Sequence, residues 1–193
     1  MKRSGDATKD QLFDAAARLF REHGYAETSH ADISAEANFG RTTFYEHFAS
    51  KEDLLVQLVQ RDLPVLIDEI LSDVPPGLPP DVRLRELTIR FVAFVGTDHL
   101  GLILHTEVPR LTVDAQRAIA ASHQALSNEV TDIYRAGVAS GAFVELPGPV
   151  VGRLIQETMM AGGRTVMDLP APKQHVDSIA EATAGFLVNG LRP

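Results

Sequence analysis

A cluster of hydrogen-bonding side chains lies between residues 41 and 47, with the spacing of one face of a short helix. Phe44 and Phe48 are four residues apart, so both can anchor the same side of that helix in a hydrophobic core. The exposed side and the preceding turn then carry guanidinium, hydroxyl and imidazole groups: Arg41, Thr42, Thr43, Tyr45 and His47. A buried short helix would not carry so many hydrogen-bonding groups, and the pattern therefore indicates an exposed binding face.

Two short helices joined by a tight turn are predicted to present this face. Ser29, followed by Asp32 three residues later, fits a reciprocal cap for the first of these two helices, which is the second helix of the chain. Ile33 then faces inward. Asn38 in the turn is the non-glycine residue that most readily takes a positive φ. A helix-turn-helix places its second helix in the major groove of DNA, so the pattern predicts DNA binding.

Residues 8 to about 58 resemble the DNA-binding domain of the TetR family of bacterial transcriptional repressors. The matching residues are Phe20, Gly24, Tyr25, Thr28, Asp32, Ile33, Ala37, Arg41 to Tyr45, His47, Phe48 and Ser50 to Leu55. Two positions depart from the family pattern: Asn38 stands where glycine is usual, and Gly40 where serine or threonine often caps the helix. Both replacements are physically tolerable, because asparagine accepts a left-handed backbone and glycine is a fair cap.

The resemblance implies a role for each residue of the exposed face. Arg41 and Thr42 would contact base edges, since arginine can bond O6 and N7 of guanine together. Thr43, Tyr45 and His47 would bind phosphates or flank the bases.

The resemblance also implies phosphate contacts outside that face. Lys51, at the start of the fourth helix, would contact a phosphate directly. Thr28 and Ser29 would offer hydroxyl and backbone N–H groups to another phosphate at the start of the second helix.

Composition restricts the remaining classes of function. The chain has 193 residues and no cysteine, which excludes disulfides, cysteine zinc sites and thiol catalysis. An apolar content of 45% argues against disorder, and no apolar run reaches the roughly 18 residues of a membrane span. Acidic residues stand where the apolar part of a signal peptide would be, so a cytoplasmic protein is expected.

The formal net charge of −8 argues against attraction of nucleic acid by the overall field. Residues 1–53 carry seven Lys and Arg against ten Asp and Glu, a formal charge of −3. DNA binding must therefore come from local placement of Arg41, His47, Lys51 and helix N-termini on one face.

The periodicity along the chain predicts an all-α protein of about nine helices. A helix-turn-helix DNA-binding domain is expected over residues 1–53 and a helical ligand-binding and dimerisation domain over residues 54–193. The first helix is predicted to start at a cap on Thr8, and Pro64 to kink or end the fourth. Residues 113–139 are expected to form one apolar helical segment, and residues 72–80, with four prolines, a linker.

The family resemblance implies a largely apolar cavity for an unidentified small-molecule effector in the C-terminal bundle. Candidate lining residues are Phe91, Phe94, His99, His105, His123, Tyr134, Gln156 and Met159. An ordinary helical core is the alternative for each of them. His99, His105 and Glu107 lack the spacing of a helical zinc site, so no metal and no cofactor are predicted.

The last two helices are predicted to form a homodimer interface. Their apolar stripes comprise Val151, Leu154, Ile155, Thr158 and Met159, and Val176, Ile179, Ala180, Thr183, Phe186, Leu187 and Leu191. Packing inside one subunit is the alternative. A dimer would place two recognition helices about 34–36 Å apart on a near-palindromic operator in double-stranded DNA.

These observations together favour a transcriptional regulator, in the family's usual mode a repressor released from its operator by a ligand. A helix-turn-helix regulator controlled by protein partners is the alternative that shares the DNA-binding head. An enzyme on a helical bundle is disfavoured, because the sequence has no nucleophile elbow, phosphate loop or metal motif.

Overall fold

The computed structural model describes the backbone of residues 2–193, and the side chains of these residues except 2–5, 99, 102, 104, 105 and 149. Over that part of the chain the fold is all-α, with ten α-helices, one 3-10 turn at Val108–Arg110, and no strand. The helices are α1 (Lys2–His23), α2 (His30–Glu36), α3 (Arg41–His47), α4 (Lys51–Ser72), α5 (Pro80–Thr97), α6 (His99–Thr106), α7 (Val113–Ala121), α8 (Gln124–Ala139), α9 (Gly148–Asp168) and α10 (Pro172–Leu191). The predicted fold class is confirmed.

The chain forms two compact units. One comprises Met1–Asp62 with Glu107–Ala121, and the other Leu63–Thr106 with Ser122–Pro193. The division after residue 53 stays a prediction.

The N-terminal unit is built around aromatic and aliphatic side chains from four helices. Phe13 and Phe48 have ring centroids 5.1 Å apart, and Phe44 and Phe48 5.5 Å apart. The other buried residues of this core include Leu12, Ala16, Phe20, Ile33, Leu54, Leu55, Leu58 and Val59. This core holds α3 by one face, as the spacing of Phe44 and Phe48 predicts.

Several helix ends differ from the prediction. α1 begins at Lys2 and contains Thr8. No proline precedes Thr8 to end the helix, and Gly5 lowers helix stability by only about 1 kcal/mol. α4 continues through Pro64 to Ser72, so the expected helix end at Pro64 is wrong, while the alternative of a kink there stays a prediction. The segment 113–139 is divided into α7 and α8.

The turns of the N-terminal unit match the prediction more closely. Gly24 ends α1 with φ +85°, and Asn38 follows α2 with φ +60°. Ser29 caps α2 reciprocally with Asp32, each bonding the backbone N–H of the other.

In the C-terminal unit α5, α9 and α10 pack closely on one another. Val92, Val166 and Ala180 form a fully buried cluster at their centre. A Cβ atom placed on Gly96 would lie 2.5 Å from the Val166 side chain, and one on Gly163 would lie 2.4 Å from Val95. These glycines allow α5 and α9 to approach more closely than larger residues would permit. Of the helices in the described part of the chain, none is long and apolar enough to cross a membrane.

Candidate nucleic-acid interface

The exposed side of α3 carries the residues that the sequence singles out. Phe44 and Phe48 are buried, whereas Arg41, Thr42 and Tyr45 are exposed. Thr43 and His47 are partly exposed and complete the same short helix. A seven-residue helix fixed by two buried rings thus presents guanidinium, hydroxyl, phenol and imidazole groups together.

Tyr45 is the most exposed aromatic residue of this face, with half of its surface accessible. Its ring lies edge-on to Phe44 at 5.5 Å and contacts the imidazole of His30, whose centroid is 5.3 Å away. His30 is the first residue of α2 and also contacts Phe44 at 5.8 Å. Nothing in the spacing of the sequence singles out His30, because its partners lie on the next helix.

Lys51 lies at the centre of a second group of interactions, at the loop between α1 and α2. Its ammonium donates to the carbonyl oxygens of Tyr25 and Thr28, at 2.7 Å each, and of Ala26 at 3.3 Å. It also lies over the Tyr25 ring, 4.3 Å from the centroid. The Tyr25 carbonyl also accepts the Thr28 N–H at 3.3 Å, and the ammonium binds all three carbonyls of this loop.

Thr28 also faces inward. It is buried, and its hydroxyl donates to the Gly24 carbonyl at 2.8 Å. Thr28 and Lys51 are phosphate contacts in the sequence-based prediction, but the structure gives both side chains partners inside the unit. Ser29 is partly exposed, and its hydroxyl donates to the Asp32 carboxylate at 2.7 Å.

Burial shapes the electrostatics of the Lys51 group. The pKa of Tyr25 is raised to about 12, mainly by burial, with smaller contributions from the carboxylates of Glu52 and Glu107. Burial lowers the pKa of Lys51, while Glu107 and Glu27 oppose that change. The loop before α2 is therefore held by a partly buried charge rather than by an exposed one.

The candidate ligand residues occupy different environments in the C-terminal unit. Phe91 and Met159 are buried, and Phe94 and His123 are partly buried. Gln156 is exposed on α9, so its side chain does not point into the interior of the unit. The side chains of His99 and His105 lie outside the described residues.

Tyr134 is held inside the unit by hydrogen bonds and by ring stacking. It is buried, and its hydroxyl donates to the Val144 carbonyl at 3.0 Å and accepts the Leu146 N–H at 2.8 Å. Its ring stacks on Phe143 at 6.2 Å. These contacts fix the segment between α8 and α9.

The apolar stripes of α9 and α10 divide between an inner and an outer face. Half of the twelve residues named as an interface from the sequence are buried within the unit: Val151, Ile155, Met159, Ala180, Leu187 and Leu191. Their helical period marks the side that faces the rest of the subunit. The outer side exposes Val150, Leu154 and Phe186, the last with 73% of its surface accessible.

Comparison with known proteins agrees with this arrangement. The family described as "Bacterial regulatory proteins, tetR family" matches residues 12–58, which include all of α2 and α3. The chain is 23% identical over 187 residues to the Fatty acid metabolism regulator protein of Bacillus subtilis, an alignment that covers 94% of each chain. It is 25% identical over 188 residues to the HTH-type transcriptional repressor KstR2 of Rhodococcus jostii, covering 95% of this chain and 90% of that one.

A solved structure shares the fold along nearly the whole chain. It is that of the transcriptional regulator FadR from Bacillus subtilis in complex with stearoyl-CoA. The TM-score is 0.77 at 21% identity, and the match covers 94% of this chain and 98% of that one. With the helix-turn-helix, the family match and these relatives in agreement, residues 12–58 belong to the TetR family of bacterial regulatory proteins, and the chain is a DNA-binding transcriptional regulator.

Proposed function

We propose that this regulator is a homodimeric repressor that recognises a near-palindromic operator through α3 and releases it when a small molecule binds. The observation that carries the DNA-binding part is the face of α3. Arg41, Thr42 and Tyr45 project from a helix whose opposite side is fixed by the buried Phe44 and Phe48. A rigid short helix that presents one arginine and several hydroxyls suits the major groove.

Within this proposal the side chains divide into contacting and supporting residues. Arg41 and Thr42 contact base edges, while Thr43, Tyr45, His47 and Ser29 contact phosphates. Thr28 and Lys51 support the interface from inside the unit, because their polar groups already bind the loop before α2.

The proposed dimer forms through the outer sides of α9 and α10. Phe186, Leu154 and Val150 are large apolar side chains left exposed on these two helices. Burying them against a second copy would remove apolar surface from water, which favours association.

The proposed effector is a fatty acyl-CoA thioester. The resemblance to a fatty acid metabolism regulator and to a regulator solved with stearoyl-CoA supports this class. The C-terminal unit supplies apolar side chains of the kind that surround an acyl chain, among them Phe91, Phe94 and Met159.

The DNA part is tested by selecting an operator in vitro. The wild-type chain selects its operator from a pool of random-sequence duplexes of about 40 base pairs. Each duplex is long enough for two half-sites one turn apart. Arg41→Ala is expected to lower affinity for the selected duplex about 10- to 100-fold and to relax the preference at the contacted base pair. Arg21→Ala, at an exposed arginine of α1, is the matched control and keeps wild-type affinity. Equal affinity of Arg41→Ala and wild type would remove the assignment of α3.

The effector part uses stearoyl-CoA as the probe on the preformed complex with this duplex. Release of the duplex together with a raised thermal midpoint of the free protein is expected. Stearate and free CoA, added separately, are the controls for the two halves of the molecule. If neither stearoyl-CoA nor a shorter acyl-CoA releases the duplex, control of the regulator by a protein partner is favoured.

A further inference from the structure

The imidazole of His30 occupies an unusual place between the two helices of the DNA-binding motif. It contacts the rings of Phe44 and Tyr45 at centroid distances of 5.8 and 5.3 Å. Its Nε2 atom is buried and has no hydrogen-bond partner among the described residues. The ring is therefore held on this side by packing rather than by a hydrogen bond.

A buried nitrogen without a partner is unfavourable, so the position calls for an explanation. Metal binding does not explain the position of His30, since the described side chains include no group of three potential ligands. Nor does capping of α2, because Ser29 and Asp32 perform it. What His30 does is place an aromatic ring from α2 against the one aromatic residue of α3 that is half exposed.

We propose that His30 is a positioning residue that holds the Tyr45 ring in its DNA-binding orientation. This inference rests on the proposed function, in which Tyr45 contacts the operator. Tyr45 lies on the outside of a seven-residue helix, where a side chain would otherwise sample several rotamers. With Phe44 edge-on and His30 from the neighbouring helix, the ring is confined before DNA arrives. Confinement in advance reduces the entropy lost on binding.

The aromatic ring of His30, rather than its nitrogen atoms, orients Tyr45. Because Nε2 has no partner, replacing imidazole by a phenyl ring removes no hydrogen bond at that atom. His30→Phe is therefore expected to keep the affinity for the selected operator duplex within about twofold of wild type. His30→Gln and His30→Ala lack the ring, and both are expected to lose about three- to tenfold, the cost of immobilising one side chain.

Coupling between the two residues separates positioning from a general structural effect. In a Tyr45→Ala background, His30→Gln is expected to cause no further loss, because the ring that it orients is gone. Circular dichroism and thermal unfolding establish that each variant is folded, and His23→Ala, an exposed histidine of α1, is the control. The Tyr45 ring protons give an independent readout. The part of their ring-current shift that comes from residue 30 is retained in His30→Phe and lost in His30→Gln, while the part from Phe44 remains in both. The chain has only three tyrosines to assign.

The possible outcomes point to different errors. If Tyr45→Ala binds the operator as wild type does, the placement of Tyr45 in the proposed function is wrong, and the role of His30 with it. Two results would overturn only the inference about His30, provided that Tyr45→Ala loses affinity for the operator. One is that His30→Gln binds the operator as wild type does. The other is that His30→Gln lowers the affinity equally in the wild-type and in the Tyr45→Ala background. Loss of affinity in His30→Phe equal to that in His30→Gln would also overturn it.

Discussion

Glu52 and Thr112 are joined by two hydrogen bonds across 60 residues of sequence. The Glu52 carboxylate accepts the Thr112 N–H at 3.2 Å and its hydroxyl at 2.7 Å. The hydroxyl oxygen of Thr112 also lies 3.4 Å from the Ala115 N–H, in the first turn of α7. Because Glu52 follows Lys51 directly, the residue that holds α7 adjoins the residue that holds the loop before α2. The two bonds join α4 to the segment Glu107–Ala121, which belongs to the same compact unit as the DNA-binding helices.

Removal of this carboxylate is expected to loosen the segment around α7. Glu52→Ala leaves the Thr112 N–H and hydroxyl without their partner, so amide exchange at residues 112–116 is predicted to accelerate about fivefold or more. Hydrogen exchange followed by mass spectrometry measures this directly. Asp68→Ala, which removes an exposed carboxylate of the same helix, is the control and leaves exchange there unchanged. Unchanged protection in Glu52→Ala would mean that packing alone holds α7.

Tyr25 is expected to make stability depend on pH in the alkaline range. Its pKa in the folded chain is about 12 against an ordinary value of 10.0. Because the folded-state value is the higher one, the stabilisation is fully present below pH 10 and is lost as the pH rises to 12. Tyr25→Phe is predicted to reduce this alkaline loss by up to about 2 kcal/mol, a figure lowered from the full shift because the phenol is partly exposed.

Denaturant unfolding across this pH range measures the effect, and tyrosinate absorbance identifies the group. Tyr25→Phe removes the absorbance step near pH 12, whereas Tyr45→Phe retains it. An alkaline loss of stability that is the same in Tyr25→Phe and in wild type would contradict the assignment.

Ala171, between α9 and α10, has a left-handed backbone conformation. Its φ and ψ are +56° and +63°, and prolines flank it on both sides. A non-glycine residue in this conformation is disfavoured by about 1–2 kcal/mol. Glycine removes that strain but offsets part of the gain, because it increases the conformational entropy of the unfolded chain. Ala171→Gly is therefore predicted to raise the free energy of unfolding by about 0.5–1 kcal/mol.

The matched control for Ala171→Gly is Ala136→Gly, at an exposed position within α8. That change is expected to lower stability by about 1 kcal/mol, because glycine is a poor helix former. Urea unfolding of both variants gives the comparison. Destabilisation of similar size in both would show that the backbone at Ala171 is not strained.

Phe186 tests the proposed dimer interface. Phe186→Asp places a carboxylate where the proposal buries an aromatic ring, so the dimer dissociation constant is expected to rise about 100-fold or more. Light scattering after size exclusion reports the oligomeric state at each concentration. Val113→Asp is the control, since Val113 is 61% exposed on α7, outside the proposed interface. A dimer unaffected by Phe186→Asp would place the interface elsewhere.

Local signals in the sequence predict the features of this fold that depend on neighbouring residues. The cap at Ser29, the turn at Asn38 and the four-residue spacing of Phe44 and Phe48 are local signals, and all three are as predicted. Helical periodicity also predicts the all-α class. Such signals arise from backbone geometry, which short segments largely determine for themselves.

The features that the sequence does not predict depend on long-range partners. Lys51 binds carbonyls 23 to 26 residues earlier in the chain, and Glu52 binds a residue 60 positions later. No spacing rule links such residues, so a lysine near a DNA-binding motif is interpreted from sequence as a phosphate contact. The stripes of α9 and α10 illustrate a related limit. A helical period does not separate the residues that face the interior, such as Ile155, from Leu154 and Phe186, which belong to the same stripes and are exposed.

Charge gives the most demanding test of the central claim that α3 recognises specific DNA. With a net charge of −8, this regulator has little general attraction for DNA and depends on a few local cations. The decisive measurement is the affinity of the wild-type chain for its selected operator and for a scrambled duplex across a salt series. The account predicts a preference of about 1,000-fold or more at physiological salt. A shallow log–log salt slope of about −2 to −4 is also expected, because each protomer offers only one or two cations, Arg41 and His47, to the DNA. Comparable affinity for the two duplexes would contradict the account.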